Sequence, residues 1–176
     1  SGSAVLRMIT NLDFNPGDLD IYVPDSQEET AIKLCVDRLG FKMSKSRDPL
    51  YENNIILGTI HWLKKGPYNL NIMVVKGENA AIAIFQFHST IVMNFLSANG
   101  LYCAYPTLTL SNLAIPNRPI MRRELGAVQR CRDCFEKYRG RGVIYETDAR
   151  AFPGHGNHIC FVDAECPMTI RSTKDG

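Results

Sequence analysis

No apolar run in this chain approaches the roughly 20 residues that a membrane-spanning helix requires, so no membrane partner is expected. Ser1 to Thr10 has neither a basic leader nor a long apolar region, and no secretory signal is read there. Cysteine is sparse: six in 176 residues are too few for a disulfide-stapled scaffold. Together these absences lead to the expectation of a reducing intracellular setting, cytoplasmic or nuclear. The chain also has no internal repeat and no low-complexity tract, which excludes solenoid and fibrous architectures.

What is present fits an ordinary globular protein: 45% of residues are hydrophobic and 22% charged. This length supports one sizeable domain, or one domain with a small appendage. The boundaries expected are residues 1–139 for the domain and 140–176 for a Cys/His-containing tail packed on it. The net charge of +2 hides an asymmetry, because eight basic and three acidic residues lie between Arg118 and Arg141. The rest of the chain holds twelve basic and fifteen acidic residues. A basic segment on a mildly acidic body suits phosphate or nucleic-acid binding, and it equally suits a solvated helix face.

Ala4 to Thr10 is short, apolar and free of breakers, and predicts two helical turns behind Gly2 and Ser3. Asn, Pro and Gly between Asp13 and Gly17 predict a turn, and Asp18 to Val23 a strand. A helix is expected from an Asp25 or Ser26 cap to Leu39, with Glu28 and Glu29 in its first turn and Gly40 as its stop. Ile55–Leu63 and Tyr68–Val75 read as strands of a hairpin joined through Lys64-Lys65-Gly66-Pro67. Glu78 to Phe85 suits helix or strand. Ile91, Val92, Phe95 and Leu96 recur at helical spacing, predicting a helix from Ser89 to Leu96 that stops before Gly100. A basic helix is expected over 119–139, and little regular structure after Gly140. The fold class is therefore α/β (α+β), a small mixed sheet flanked by helices with a Cys/His-rich C-terminal extension.

The stretch "NPGDLDIYVP" carries the chemistry. On a strand Asp18 and Asp20 share one face, while Leu19, Ile21 and Val23 face the core. Two carboxylates so close repel unless a cation lies between them, and Mg²⁺ takes one or two carboxylates together with phosphate oxygens. A solvated turn that happens to precede a strand is the other reading. Gly2-Ser3 opens the preceding helix, where free backbone N–H groups and the positive dipole end suit a phosphate.

The segment "SGSAVLRMITNLDFNPGDLDIYV" resembles the motif of the polymerase-beta-like nucleotidyltransferases, a Gly-Ser pair followed by Asp-apolar-Asp. The chain also resembles uncharacterised fungal proteins with "DLDIYVP", "FHSTxVMNF" and "CAYP"; the last two stand here at Phe87–Phe95 and Cys103–Pro106. The nucleotidyltransferase resemblance implies a nucleotidyltransferase-like fold. It further implies Gly2 and Ser3 on a nucleoside triphosphate, and Asp18 and Asp20 as ligands of Mg²⁺ or Mn²⁺. It implies a third carboxylate on a neighbouring strand; the matching position is Asn71, which departs from the pattern. An amide ligates a hard cation but cannot act as a base, so nucleotidyl transfer is put in doubt. Glu78, past the strand end, is the alternative source of the third carboxylate. Two functions stand: binding of a triphosphate with Mg²⁺ and nucleotidyl transfer to an acceptor, or a catalytically impaired fold binding nucleic acid or protein through residues 118–141.

His88 and Ser89 precede the helix expected at 89–96, and either meet a substrate phosphate or act as a packed histidine and an N-cap. Cys131 and Cys134 sit i, i+3 on one helix face; His155, His158, Cys160 and Cys166 follow. Four ligands from Cys131, Cys134, His158, Cys160 and Cys166 suffice for a structural Zn²⁺. Free thiols, or disulfides formed on purification, are the alternatives.

Overall fold

The computed structural model describes residues 1–47, 56–117 and 125–153, together with 157, 159, 161–163, 166 and 169. It is a mixed α/β protein with a small mixed sheet and several helices. Its contacts group the residues into two units, Ser1–Ala4 with Asn15–Phe85 and Val5–Phe14 with Gln86–Gly176. Helix α1 (Gly2–Ile9) runs through the division at Ala4. No described helix is long and apolar enough to cross a membrane.

The first unit is built on a four-stranded sheet in the order β1-β4-β3-β2. Strand β1 (Leu19–Pro24) runs parallel to β4 (Tyr68–Val75), with Asp20 opposite Asn71 and Ile21 opposite Ile72. Strand β3 (Leu57–Lys65) forms the expected hairpin with β4, turning at Gly66 with φ +56°. Strand β2 (Lys42–Arg47) completes the sheet antiparallel to β3. It was not expected, because "KMSKSR" offers only Met43 as an apolar residue. Between β1 and β2 runs one irregular helix: a 3-10 turn at Asp25–Gln27, α2 (Glu28–Lys33) and a π turn at Leu34–Arg38. Gly40, with φ +72°, ends it by donating its N–H to the Val36 carbonyl at 3.1 Å.

Alternation along β1 and β4 puts Ile21, Val23, Leu70 and Ile72 on the face covered by this helix. There they pack with Leu63, Ala31, Ile32, Cys35 and Val36. Leu19 departs from the expected core position and is 43% exposed, because it lies at the strand's open beginning. Glu78–Phe85, left between helix and strand by its composition, contains a 3-10 helix over Ala80–Gln86.

The second unit buries Leu6, Leu12, Ile91, Val92, Ala114, Tyr138 and Val143 in one cluster. The helix expected at 89–96 is not formed. Thr90–Val92 make a single 3-10 turn, and β5 (Asn94–Ser97) pairs with β6 (Gly100–Cys103) as an antiparallel hairpin. The cause is local. The buried Asn94 side chain donates to the Ile91 carbonyl at 2.8 Å, and the Thr90 hydroxyl accepts the Ile115 N–H at 2.9 Å. The Asn94 amide thus takes the Ile91 carbonyl, which a helix would have paired with the Phe95 N–H. Gly100, read as lying beyond the helix end, is instead the first residue of β6, and Ala98 and Asn99 form the turn of the hairpin.

Helix α3 (Pro106–Leu110) and the short parallel pair β7 (Leu113–Ala114) and β8 (Ile144–Tyr145) follow. Helix α4 (Leu125–Arg139) supplies Phe135 and Tyr138. The expected first residues of this helix, 119–124, and Arg118 lie outside the described residues.

Ile72 is fully buried at the centre of the first unit's sheet, facing Ile21 and His61 across the two pairings. Ile72→Ala should lower stability by about 2–5 kcal/mol, the usual cost of a truncated core side chain. The check is the urea midpoint followed by far-UV circular dichroism, with little change in slope.

Candidate functional site

Directly opposite residues of a sheet share a face, so Asp20, Asn71, Trp62 and Lys45 form one row across β1, β4, β3 and β2. Asp18 lies two residues before Asp20 and Tyr22 two after it, on the same side as Asp20. The Asn71 amide nitrogen donates to Asp18 Oδ2 at 2.9 Å and to Asp20 Oδ1 at 2.8 Å. One oxygen from each carboxylate therefore converges on a single point, and Asn71, only 8% exposed, is largely withdrawn from water there. The sequence-derived placement of Asn71 facing the pair is met by this register.

An amide N–H₂ at that point offsets the repulsion of the two carboxylates without a full positive charge, using both of its protons. Turned over, the same side chain offers Oδ1 instead, and two carboxylates with one amide oxygen suit a hard divalent cation. The donor set is thus compatible with Mg²⁺ or Mn²⁺. It is also stable as a closed hydrogen-bonded cluster. Tyr22 records the local field: its phenol is pushed up first by burial and then by the charges of Asp20 and Asp18. Tyr22, Trp62 and Lys45, with the Lys45 ammonium 4.5 Å from the Trp62 ring centre, were not singled out from sequence. Their signal is the period-2 alternation of each strand combined with a register that only the pairing reveals.

The start of α1 is tied to β1. The Ser1 backbone nitrogen donates to the Asp20 carbonyl at 2.9 Å, which holds Gly2 and Ser3 next to the aspartate strand within the first unit. Gly2 is buried and takes φ +63°, a conformation a side chain would strain.

His88 and Ser89 belong to the second unit. In place of the expected helix Ser89 precedes only the single 3-10 turn at Thr90–Val92, and it forms no side-chain cap. Its hydroxyl lies 2.9 Å from His88 Nδ1 and 3.3 Å from the Tyr145 hydroxyl, and it is fully buried. His88 packs edge-on to Phe135 and tilted to Tyr138, with ring centres 5.5 and 5.6 Å away. Burial, followed by the charge of Lys137, lowers its pKa to about 4. Of the two readings open for these residues, the structure has the packed histidine but not the N-cap.

Cys131 is buried and Cys134 partly buried on α4, both as free thiols, and Cys166 is buried. Burial is the main cause raising the pKa of Cys131 and of Cys134; nearby Arg130 and Lys137, respectively, oppose it. His155, His158 and Cys160 lie outside the described residues. Among the described residues no three His, Cys, Asp or Glu side chains gather in metal-binding geometry.

No family model, curated protein or solved structure gives a match to this chain.

Two outcomes follow. His88 is neutral in the folded protein down to about pH 4, whereas an unfolded histidine takes up a proton near pH 6.5. Its burial is fully tolerated above that range, and stability is lost as pH falls from about 6.5 to 4, by up to about 3 kcal/mol. Thermal melts across this window should show the fall, and His88→Phe should flatten it. For the tail, about one zinc per chain by elemental analysis is expected if Cys131, Cys134, Cys160 and Cys166 or His158 share an ion. Four freely titrating thiols and no zinc would end that reading.

Proposed function

We propose that this chain binds a nucleoside triphosphate, or a related phosphorylated ligand, with a divalent cation at Asp18 and Asp20. The observation that carries the reading is the convergence of one oxygen from each carboxylate on the point facing Asn71. Asp18 and Asp20 would hold the Mg²⁺, with the Asn71 amide oxygen as third ligand. The cation would supply charge neutralisation for the phosphates. Gly2 and Ser3, held beside Asp20 by the Ser1 hydrogen bond, would offer backbone N–H groups to the phosphate end. The nucleotidyltransferase-like character of the site is part of this proposal and rests on the order of Gly-Ser, helix, turn and Asp-x-Asp strand.

Nucleotidyl transfer to an acceptor is the weaker half of the reading. A base that deprotonates the acceptor is missing from the three converging side chains, since Asn71 stands where a carboxylate is needed. The double donation from Asn71 favours a second reading, a binding module in which the amide takes the place of the cation. In that case the basic segment from 118 to 141 would engage nucleic acid or a protein partner.

The test is a triphosphate titration with and without Mg²⁺, followed by a product assay. Mg²⁺-dependent binding in the parent, lost by at least tenfold in Asp18→Ala and Asp20→Ala with the fold intact, is the expected result. Asn71→Asp should destabilise the metal-free protein by crowding three carboxylates, restore stability on adding Mg²⁺ and tighten cation binding. Nucleotide binding unchanged in both alanine variants would remove the metal-site reading.

A further inference from the structure

The face of the first unit's sheet opposite the aspartates holds a second polar constellation. Ile21, Ile72, His61 and Ser46 form the row next to that of Asp20 and Asn71, and so point to the side covered by α2. His61 is buried, yet both its ring nitrogens have partners. Nε2 lies 2.6 Å from Glu28 Oε1 on α2, and Nδ1 lies 2.8 Å from the Ser46 hydroxyl on β2. A carboxylate only accepts hydrogen bonds, so the neutral ring carries its proton on Nε2 and donates it to Glu28. Nδ1 is then an acceptor at 2.8 Å, a nearer and stronger one for the single Ser46 hydroxyl proton than the Met43 sulfur at 3.7 Å, to which that hydroxyl can otherwise donate.

This is the order nucleophile, base, orienting carboxylate on three separate elements, and three features set it apart from a buried histidine that has merely found partners. The His61 side chain is 8% exposed while Glu28 is 32% exposed and Ser46 lies at the surface, so a largely buried base and a reachable nucleophile coexist. Glu28 sits in the helix that passes into a π turn at Leu34–Arg38, an irregularity frequent near functional sites. Among the described strands Ser46 lies on the sheet edge, where a substrate can approach it without displacing a neighbouring strand. The Met43 sulfur is 3.7 Å from the Ser46 hydroxyl, and Met43 also lines an open pocket of about 440 Å³ with Lys42, Lys64 and Lys65.

We infer that Ser46, His61 and Glu28 form an esterase-type site that takes small carboxylic esters carrying an anionic arm, the arm seated in the lysine-lined pocket. The Ser46 oxygen bonds to the ester carbonyl carbon as its proton passes to His61 Nδ1. The bond from that carbon to the alcohol oxygen then breaks, and the same proton goes to the departing alcohol. Water attacks the acyl-Ser46 ester, gives a proton to Nδ1, and the Ser46 oxygen leaves and recovers it. The products are acid and alcohol, with water the only co-reactant. Glu28 touches no reacting atom; it is a positioning residue that fixes the tautomer.

The experiment uses the full chain in EDTA, which silences any metal-dependent chemistry at the aspartates. The probes are the 4-nitrophenyl monoester of succinic acid and, beside it, neutral 4-nitrophenyl acetate. Expected are nitrophenol release, an acyl adduct on Ser46 by peptide mass spectrometry, and faster turnover of the anionic ester. Ser46→Ala, at an exposed position, and His61→Gln should each reduce release by about a hundredfold or more. Glu28→Gln should lower kcat by about tenfold with KM unchanged, and Glu28→Asp should recover part of it, as expected of a residue that orients the base. Turnover in Ser46→Ala equal to the parent, or an acyl group found elsewhere and never on Ser46, overturns the site. Equal rates for the two esters overturn the anionic arm. Should His61→Gln fail to fold, the Ser46→Ala result and the adduct position decide alone.

Discussion

Everything in the first unit depends on the parallel register that sets Asp20 against Asn71 and Ile21 against Ile72. Side chains alternate along a strand, so a slip of one residue would turn Ile21 and Val23 to the wrong face and send the aspartates into the core. The burial of Ile72, Leu70 and Leu63 under α2 forbids that slip. The apolar face thus holds the polar face in place. Asn71 can reach both carboxylates because Ile72, its neighbour in sequence, cannot move.

The same constraint places two polar constellations on one sheet, back to back. Asp18, Asp20 and Asn71 lie on one face; Ser46, His61 and Glu28 lie on the other. The two differ in how charge is handled. On the first face two negative groups gather around an amide, an arrangement open to improvement by a cation. On the second, one carboxylate is met by the ring N–H of one imidazole, and the cluster is complete as it stands.

The strands that carry the Asp18, Asp20 and Asn71 cluster were readable because they obey simple local rules. Asn-Pro-Gly before "DLDIYV" and Gly-Pro between two apolar runs announce turns, and the alternation of Leu70, Ile72 and Val74 with Asn69, Asn71 and Met73 announces a strand. Placing Asn71 against the aspartates required only that β1 and β4 be neighbours. What escaped was non-local. Strand β2 has almost no apolar alternation, being an edge strand stabilised by its pairing with β3. Residues 89–96 show helical spacing, yet the buried amide of Asn94 claims the Ile91 carbonyl that a helix would have paired. His61 was passed over because a single histidine in an apolar strand gives no sign of Glu28, 33 residues earlier, or of Ser46.

The lysines of β2 have a consequence beyond any ligand. An outer strand with unpaired backbone groups invites a strand from another molecule to add to the sheet. Lys42 and Lys45 are exposed on that outer strand and oppose Lys64 and Trp62 on β3. An incoming copy of the same edge would bring its own lysines against these, and their mutual repulsion disfavours such an addition. Because that repulsion is screened over a Debye length of about 10 Å at 0.1 M salt, concentrated salt weakens the guard. Colloidal behaviour in strong electrolyte is therefore governed by the part of the chain whose strand was hardest to see in the sequence.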